Sequence, residues 1–395
     1  MKPLSEVRVL DVSQVLAGPF AAMMLGDLGC DVIKIEPPEG EAMRSSFGSV
    51  AAWGETPGFL SMNRNKRSVA LDLKAEEGLS VFHRLAATSD VVIQNFRPGV
   101  AQRLGISYDH LKAVNPGIIC CSISGFGSVG PNSTRSGYDM IAQAVSGIMS
   151  ITGEPGRPPV RAGVPLADIG AGLFAVSGVL SALIDREQSG VGCEVEASLY
   201  DSALSYAVWE ATQYWYSGEV PAALGSGHRM NAPYQAFRCA DGYVTIGANN
   251  NRTWGRLCDA LGHPEWQEDP RLVTAEERLR HTDVLTEKIE ATIAHRMRDE
   301  VETLLATYSV PAGAVRAFDE VLDAEEAADD GMVQHGEYAG REVRYLGSPI
   351  KINGRRIRQD RRPPTRGEHS DGVLGELGLT VDEIGALRSA GVLGD

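Results

Sequence analysis

Over the first two hundred residues, short apolar and β-branched runs alternate with stretches of helical period, and no other feature narrows the fold as much. Val7–Ser13, Asp31–Glu36, Ser68–Leu73, Val91–Asn95, Ile118–Ile123 and Glu194–Ser198 read as strands. Between the first two, Ala17-Gly18-Pro19-Phe20 opens a helix. Pro19 suits its first helical position, Phe20, Met24 and Leu28 share a face, and Gly29 stops it. A second helix is expected near 75–87, with Leu79, Phe82 and Ala86 on one side. Short connections between alternating strands and helices predict parallel strands and right-handed crossovers, hence a Rossmann-like open α/β sheet. Such sheets bind ligands outside the carboxyl ends of their strands.

Further helices are expected near 138–150 and 169–186. The uncharged run Ile169–Ile184 stops short of the ~20 residues a bilayer needs, so it reads as a buried helix. An aromatic-rich helix with Tyr206, Trp209, Tyr214 and Trp215 is expected to fill a core or an interface, since large rings dominate buried contacts. From about Pro221 the character changes. The Gly/Ser loop Leu224-Gly-Ser-Gly-His228 leads into a hairpin, Tyr234–Arg238 and Tyr243–Gly247, then helices near 251–261 and 276–308. Residues 222–320 therefore read as a second, smaller α+β domain. The tail from 340 returns to strand signals, a basic stretch (Lys351 to Arg358), Pro363-Pro364 and an amphipathic helix through Leu387.

The composition is that of an ordinary globular chain, 395 residues with 43% hydrophobic and 23% charged. Thirty-seven Lys and Arg against 52 Asp and Glu give a net charge of −15, a field that repels polyanions and argues against nucleic-acid or anionic-membrane partners. Six cysteines form no CxxC pair and eight histidines no HxxxH pair, so reduced thiols and no metal are expected. No export-signal pattern opens the chain, and the expected compartment is the cytoplasm.

Gly125-Phe-Gly-Ser-Val-Gly130 matches GxGxxG, but it follows a late strand and leads into Pro131-Asn-Ser-Thr rather than a helix. A Gly-rich turn is the better reading, with no nicotinamide or flavin. Glu36 stands where a ribose-binding acid would sit, without the glycines that should accompany it. Asp168 precedes an apolar helix and admits two readings: an N-cap, or an ionised carboxylate poised as a nucleophile at a helix start. The glycines around it would let substrate approach the backbone. Basic residues gather in Asn63-Arg-Asn-Lys66-Arg67, at Lys74, and at Arg97 and Arg103, near strand ends. In an acidic protein that cluster suits a phosphorylated ligand, or is plain solvated charge.

Several ordered segments resemble one family: VLDVSQVLAGPFAAMMLGDLGCDVIKIEPP, MNRNKRSVALDLK, VVIQNFRPGVAQRLG, SISGFGSVGP, SGYDMIAQAVSGIMSITGEP and PVRAGVPLADIGAG. Together with PYQAFRCADGYVTIGANN and the C-terminal SAGVL they are similar to the class III CoA-transferases, the formyl-CoA transferase or CaiB/BaiF family. The resemblance implies a large CoA-binding domain built from both chain ends, residues 1–200 and 321–395, with a linker at 201–221 and the small domain at 222–320. It also implies an interlocked, ring-like homodimer. The family's catalytic aspartate falls on Asp168. Its CoA contacts fall on Leu16, Ala17, Leu71, Lys74, Asn95, Phe96, Arg97, Arg103, Gly137 and Tyr138. Pro37-Pro38 replaces arginines found near the adenine in formyl-CoA transferases.

The reaction implied moves CoA from an acyl-CoA to a free carboxylic acid, with coenzyme A as co-substrate. A racemase branch, similar to α-methylacyl-CoA racemase, uses a histidine where this chain has Tyr138. A phenol with a pKa near 10 is a poor base for an α-proton at neutral pH. Transferase chemistry is thereby favoured over epimerisation. The loop Gly225-Ser-Gly-His-Arg-Met230, followed by PYQAF, looks more like the branch that pairs succinyl-CoA with dicarboxylic acids such as glutarate. His228 and Arg229 are the expected holders of the acceptor's distal carboxylate.

Overall fold

Six of the expected strands form one parallel sheet: β1 (Arg8–Asp11), β2 (Asp31–Glu36), β3 (Lys66–Ala70), β4 (Val91–Gln94), β5 (Ile119–Ser124) and β6 (Glu194–Ser198). Their order, β3-β2-β1-β4-β5-β6, is that of a doubly wound sheet. In this computed structural model, residues 3–46, 54–325, 327 and 331–394 are described. The winding reverses between β1 and β4, so the loops after these two strands part and leave a crevice at their carboxyl ends.

Strands β1, β2, β4 and β5 read as largely apolar runs because both faces are covered. Val9, Val32, Val91, Ile93, Ile119 and Cys121 pack toward the helices Ala17–Asp27 and Leu166–Ser189. Leu10, Ile33, Ile35, Val69, Val92 and Cys120 pack the other way, against the Glu76–Ala87 helix and C-terminal residues including Leu374 and Ile384. At 24 residues, the Leu166–Ser189 helix is long and apolar enough to cross a membrane, but its buried stripe of Ala167, Ala171, Ala175 and Val179 belongs to this core. The first helix begins at Ala17, so Pro19 is its third residue. Phe20, Met24 and Leu28 are the partly exposed side of a helix otherwise buried nearly all round.

The C-terminal segment closes on β3. Ser68 and His369 exchange hydrogen bonds, the Asp72 N–H reaches the Val392 carbonyl at 2.9 Å, and Leu71 pairs with Leu393 in an antiparallel bridge. Two compact units result, one from residues 1–148, 161–218 and 325–395, the other from 149–160 and 219–324. Residues 201–217, expected as a linker, are helical (Leu199–Tyr206 and Val208–Ser217) and belong to the first unit. Their aromatic stripe does not fill a core in this chain: Trp215 is 74% and Tyr216 89% exposed.

The second unit carries an antiparallel sheet, β7 (Tyr234–Arg238), β8 (Tyr243–Gly247) and β9 (Ala312–Ala314). Phe237, Val244 and Ile246 pack there against Trp254, Leu257, Ile289 and Leu305.

Candidate active site

The loop leaving β1 is held from four directions. The Asn95 side chain, just past β4, accepts the Gln14 N–H at 2.8 Å and donates to the Gln14 carbonyl at 2.6 Å, tying the two sides of the crevice together. Buried Glu41 accepts the Val15 N–H at 2.8 Å, and Lys34 bridges Glu41 (2.8 Å) and the Ser13 carbonyl (3.1 Å). Asp11 accepts the Ser13 N–H at 3.0 Å. Val15 sits at φ 68°, a left-handed conformation that costs a β-branched residue of order 1–3 kcal/mol. The surrounding hydrogen bonds impose it, and the loop is therefore a rigid wall.

The expected phosphate cluster divides in two. Arg64 pairs with Asp27, Lys66 with Asp11, and Arg67 with Asp31 and Glu376, all at 2.5–2.7 Å, so the MNRNKR cations are structural. Charges this buried stay only when paired. Burial alone would raise the Asp11 carboxyl, but Lys66 and Lys34 outweigh it and hold the group below the usual carboxylate range. Glu36 is likewise committed, accepting two hydrogen bonds of 2.7 Å from Arg44 and one from Ser68, and is not a ribose-binding acid.

Lys74, Arg97 and Arg103 instead face cavities. Against the switch point lies a cavity of about 320 Å³. Leu16 lines it from the loop after β1 and Ala17 from the start of the first helix, Asn95, Phe96 and Arg97 from the loop after β4, and Gly137, Tyr138 and Asp168 from beyond β5. A second cavity, about 610 Å³, is lined by Leu71, Lys74, Arg103, Pro37 and Pro38. Gln14 and Phe96 form walls of both. All ten CoA-contact positions expected in the sheet unit thus gather with Asp168 at its carboxyl edge. His228 and Arg229 belong to the second unit. There His228 stacks on Tyr234 with ring centroids 5.1 Å apart, and Arg229 donates to the Ala222 carbonyl at 2.8 Å.

Asp168 is not an N-cap. Its helix begins at Leu166 after Pro165, which has no side-chain oxygen to offer. The cap comes from Asp139, on the neighbouring Asp139–Val145 helix, whose Oδ1 accepts the N–H groups of Ala167 (2.7 Å) and Asp168 (3.3 Å). Nor does the helix start keep Asp168 strongly acidic. Burial, aided by the Asp139 charge, pushes its carboxyl up to about 7. A carboxylate so destabilised is a stronger base and nucleophile than an exposed aspartate.

The glycines around the site serve packing. A Cβ on Gly125 would lie 2.7 Å from the Gly137 Cα, so two backbone segments cross there with no room for a side chain. This accounts for Gly125, while Gly127 sits at φ 82°, a turn conformation that favours glycine. Gly170 and Gly172 are buried against the Tyr206 hydroxyl and the Ala17 carbonyl, not open to a substrate. The sequence reading passed over Asp139, Gln143, Glu41 and Arg135. Asp139 and Gln143, four residues apart, offered the only local signal, a polar pair on one helix face.

A family model described as CoA-transferase family III matches residues 4–370. Succinyl-CoA:glutarate CoA-transferase of Mus musculus is 35% identical over 397 residues, covering 100% of this chain and 91% of that protein. Succinate–glutarate CoA-transferase of Agrobacterium fabrum is 36% identical over 382 residues, covering 95% and 96%. Among solved structures, a CaiB/BaiF family protein from Brucella suis superposes with a TM-score of 0.85 at 36% identity, over 95% of this chain and 99% of that one.

Proposed function

The chain belongs to CoA-transferase family III, and from that premise we propose that it moves CoA from succinyl-CoA to a dicarboxylic acid through covalent intermediates on Asp168. The observation that carries this reading is a carboxyl group pushed up to about 7 in the wall of a cavity at the sheet's switch point.

An Asp168 oxygen attacks the thioester carbonyl carbon, and the C–S bond breaks to give an acyl-aspartyl anhydride and a CoA thiolate. The thiolate then attacks the aspartyl carbonyl, releasing succinate and leaving an aspartyl-CoA thioester. The acceptor carboxylate attacks that thioester, forms a new anhydride and frees the thiolate. A final attack on the acyl carbonyl delivers the product thioester and regenerates Asp168. One thioester replaces another, so the exchange is close to balanced in energy.

Lys74 and Arg103 in the larger cavity, and Arg97 in the smaller, are the cations assigned to the phosphates of CoA. Leu16, Ala17, Leu71, Asn95, Phe96, Gly137 and Tyr138 complete its walls. His228 and Arg229 are assigned to the acceptor's distal carboxylate. The His228 Nδ1 accepts the Met230 N–H at 3.1 Å, which places the ring proton on Nε2. The working form is a homodimer with interlocked subunits, and the exposed aromatic face at Trp209, Trp215 and Tyr216 supports a partner surface there. The racemase alternative is not favoured, because the curated relatives named above are CoA-transferases.

The test is mass spectrometry of tryptic peptides after incubation with succinyl-CoA and a hydroxylamine quench, comparing wild type with Asp168→Ala. Modification confined to the peptide bearing Asp168, and lost in the variant, supports the reading. No adduct with a panel of acyl-CoA donors, alongside α-deuterium uptake from heavy water, overturns it.

A further inference from the structure

The helix that carries Asp168 starts at Leu166 with no capping side chain of its own, so its first N–H groups need partners from elsewhere. Asp139 Oδ1 supplies them, accepting from Ala167 at 2.7 Å and Asp168 at 3.3 Å. Its Oδ2 accepts from Gln143 Nε2 at 2.7 Å. Gln143, fully buried, accepts the Ala162 N–H on its Oε1 at 2.9 Å, and its Nε2 lies 3.5 Å from the Val164 carbonyl. Two side chains on one helix therefore hold the backbone at four points between residues 162 and 168.

We propose that Asp139 and Gln143 are a positioning pair for the nucleophile, pinning the segment that bears Asp168 while Asp139 sets a second negative charge beside its carboxyl group. The proposal rests on Asp168 being the residue that is acylated. An asparagine would cap these N–H groups as well as an aspartate does. What the acid adds is charge, and a second acceptor, Oδ2, for the Gln143 amide. Tyr138 and Arg135 precede the Asp139–Val145 helix, Arg97 follows β4, and Tyr206 packs from the Leu199–Tyr206 helix. Against these neighbours Asp168 remains raised by burial first and Asp139 second.

The arrangement favours acylation. When Asp168 becomes an anhydride or a thioester its negative charge departs with the CoA thiolate or the carboxylate product, and the repulsion from Asp139 ends. The interaction is unfavourable only in the resting, ionised enzyme, so its relief lowers the barrier to forming the covalent intermediate.

Asp139→Asn and the double variant D139N/Q143E test this. In Asp139→Asn the new amide donor faces the Gln143 Nε2 donor, and Gln143 cannot flip without losing the Ala162 N–H. In the double variant the amide introduced at position 139 donates to the carboxylate introduced at position 143, so the 139–143 hydrogen bond returns with the charge displaced, while the long contact to the Val164 carbonyl is given up. The readouts are circular dichroism for folding, carbon-13 NMR titration of Asp168 assigned with Asp168→Asn, and single-turnover acylation by succinyl-CoA.

Asp139→Asn is expected to move the Asp168 titration down by about one unit. It should slow acylation by about tenfold or more while changing the KM for succinyl-CoA by less than about threefold. The double variant should recover the part of that rate that comes from positioning and not the part that comes from the Asp139 charge. A folded Asp139→Asn with unchanged titration and acylation overturns the proposal, as does a folded double variant no faster than the single one. Wild-type protein that forms no adduct with any donor sinks the transferase mechanism instead, and the titration still decides on the pair.

Discussion

Asp11 and Asp168 are two aspartates of the same sheet unit, both withdrawn from water, and they are treated in opposite ways. Asp11 ends β1 and is fully buried, with Lys66 at 2.7 Å and Lys34 nearby, so its carboxyl stays below the usual range. Asp168 has an acid beside it instead of a base, and its carboxyl rises to about 7. The contrast separates a charge used for architecture from one kept reactive: desolvation raises both groups, and only at Asp11 do neighbouring cations reverse it.

The contrast is broken most sharply at Asp168. Asp168→Asn should lower transferase turnover by at least about 10⁴-fold, read in a coupled assay with succinyl-CoA, because no other group replaces the nucleophile. Asp11→Asn should leave Lys66 buried without its counter-charge and cost about 3–5 kcal/mol in urea unfolding. Stability at Asp11 is present above the unfolded carboxylate pKa near 4 and is lost as pH falls through the lower folded value.

Asp168 runs the other way. Its folded pKa is above the unfolded 3.8, so the stability linked to its protonated form is full below that value and is lost as pH rises toward about 7. Asp168→Asn should therefore raise stability by about 1–3 kcal/mol at pH 8 and by nothing measurable at pH 4, checked by thermal melts at both. The smallest effect concerns cations that lack the burial of Lys66. Lys74→Ala with Arg103→Ala should raise the KM for succinyl-CoA about tenfold, shrinking in high salt, with little change in melting temperature.

The central strands were legible because β1, β2, β4 and β5 are covered on both faces, which leaves largely apolar runs bounded by turns. Asp168 and the crevice residues were legible through ordered motifs in the resemblance. What local pattern could not show was partner choice. Arg67 reads as a surface cation until Glu376, 309 positions away, is placed beside it. Gly125 and Gly137 look like separate turn residues because only the fold brings their backbones together. Pro165 gives no sign that the helix after it is capped from another helix. Residues 149–160 likewise follow the second unit because of contacts made far along the chain.

The Leu71–Leu393 bridge has a consequence for synthesis on the ribosome. β3 is the outermost strand on its side of the sheet, and Leu393, which meets its end at Leu71, is translated long after it. At about 5–20 residues per second, the growing polypeptide carries that strand for some tens of seconds before its cover emerges. An unpaired strand edge is a template for association between nascent chains. The fully buried ion pair between Lys66, at the start of β3, and Asp11 is available as soon as both strands have emerged, and it can secure β3 to the sheet during that interval.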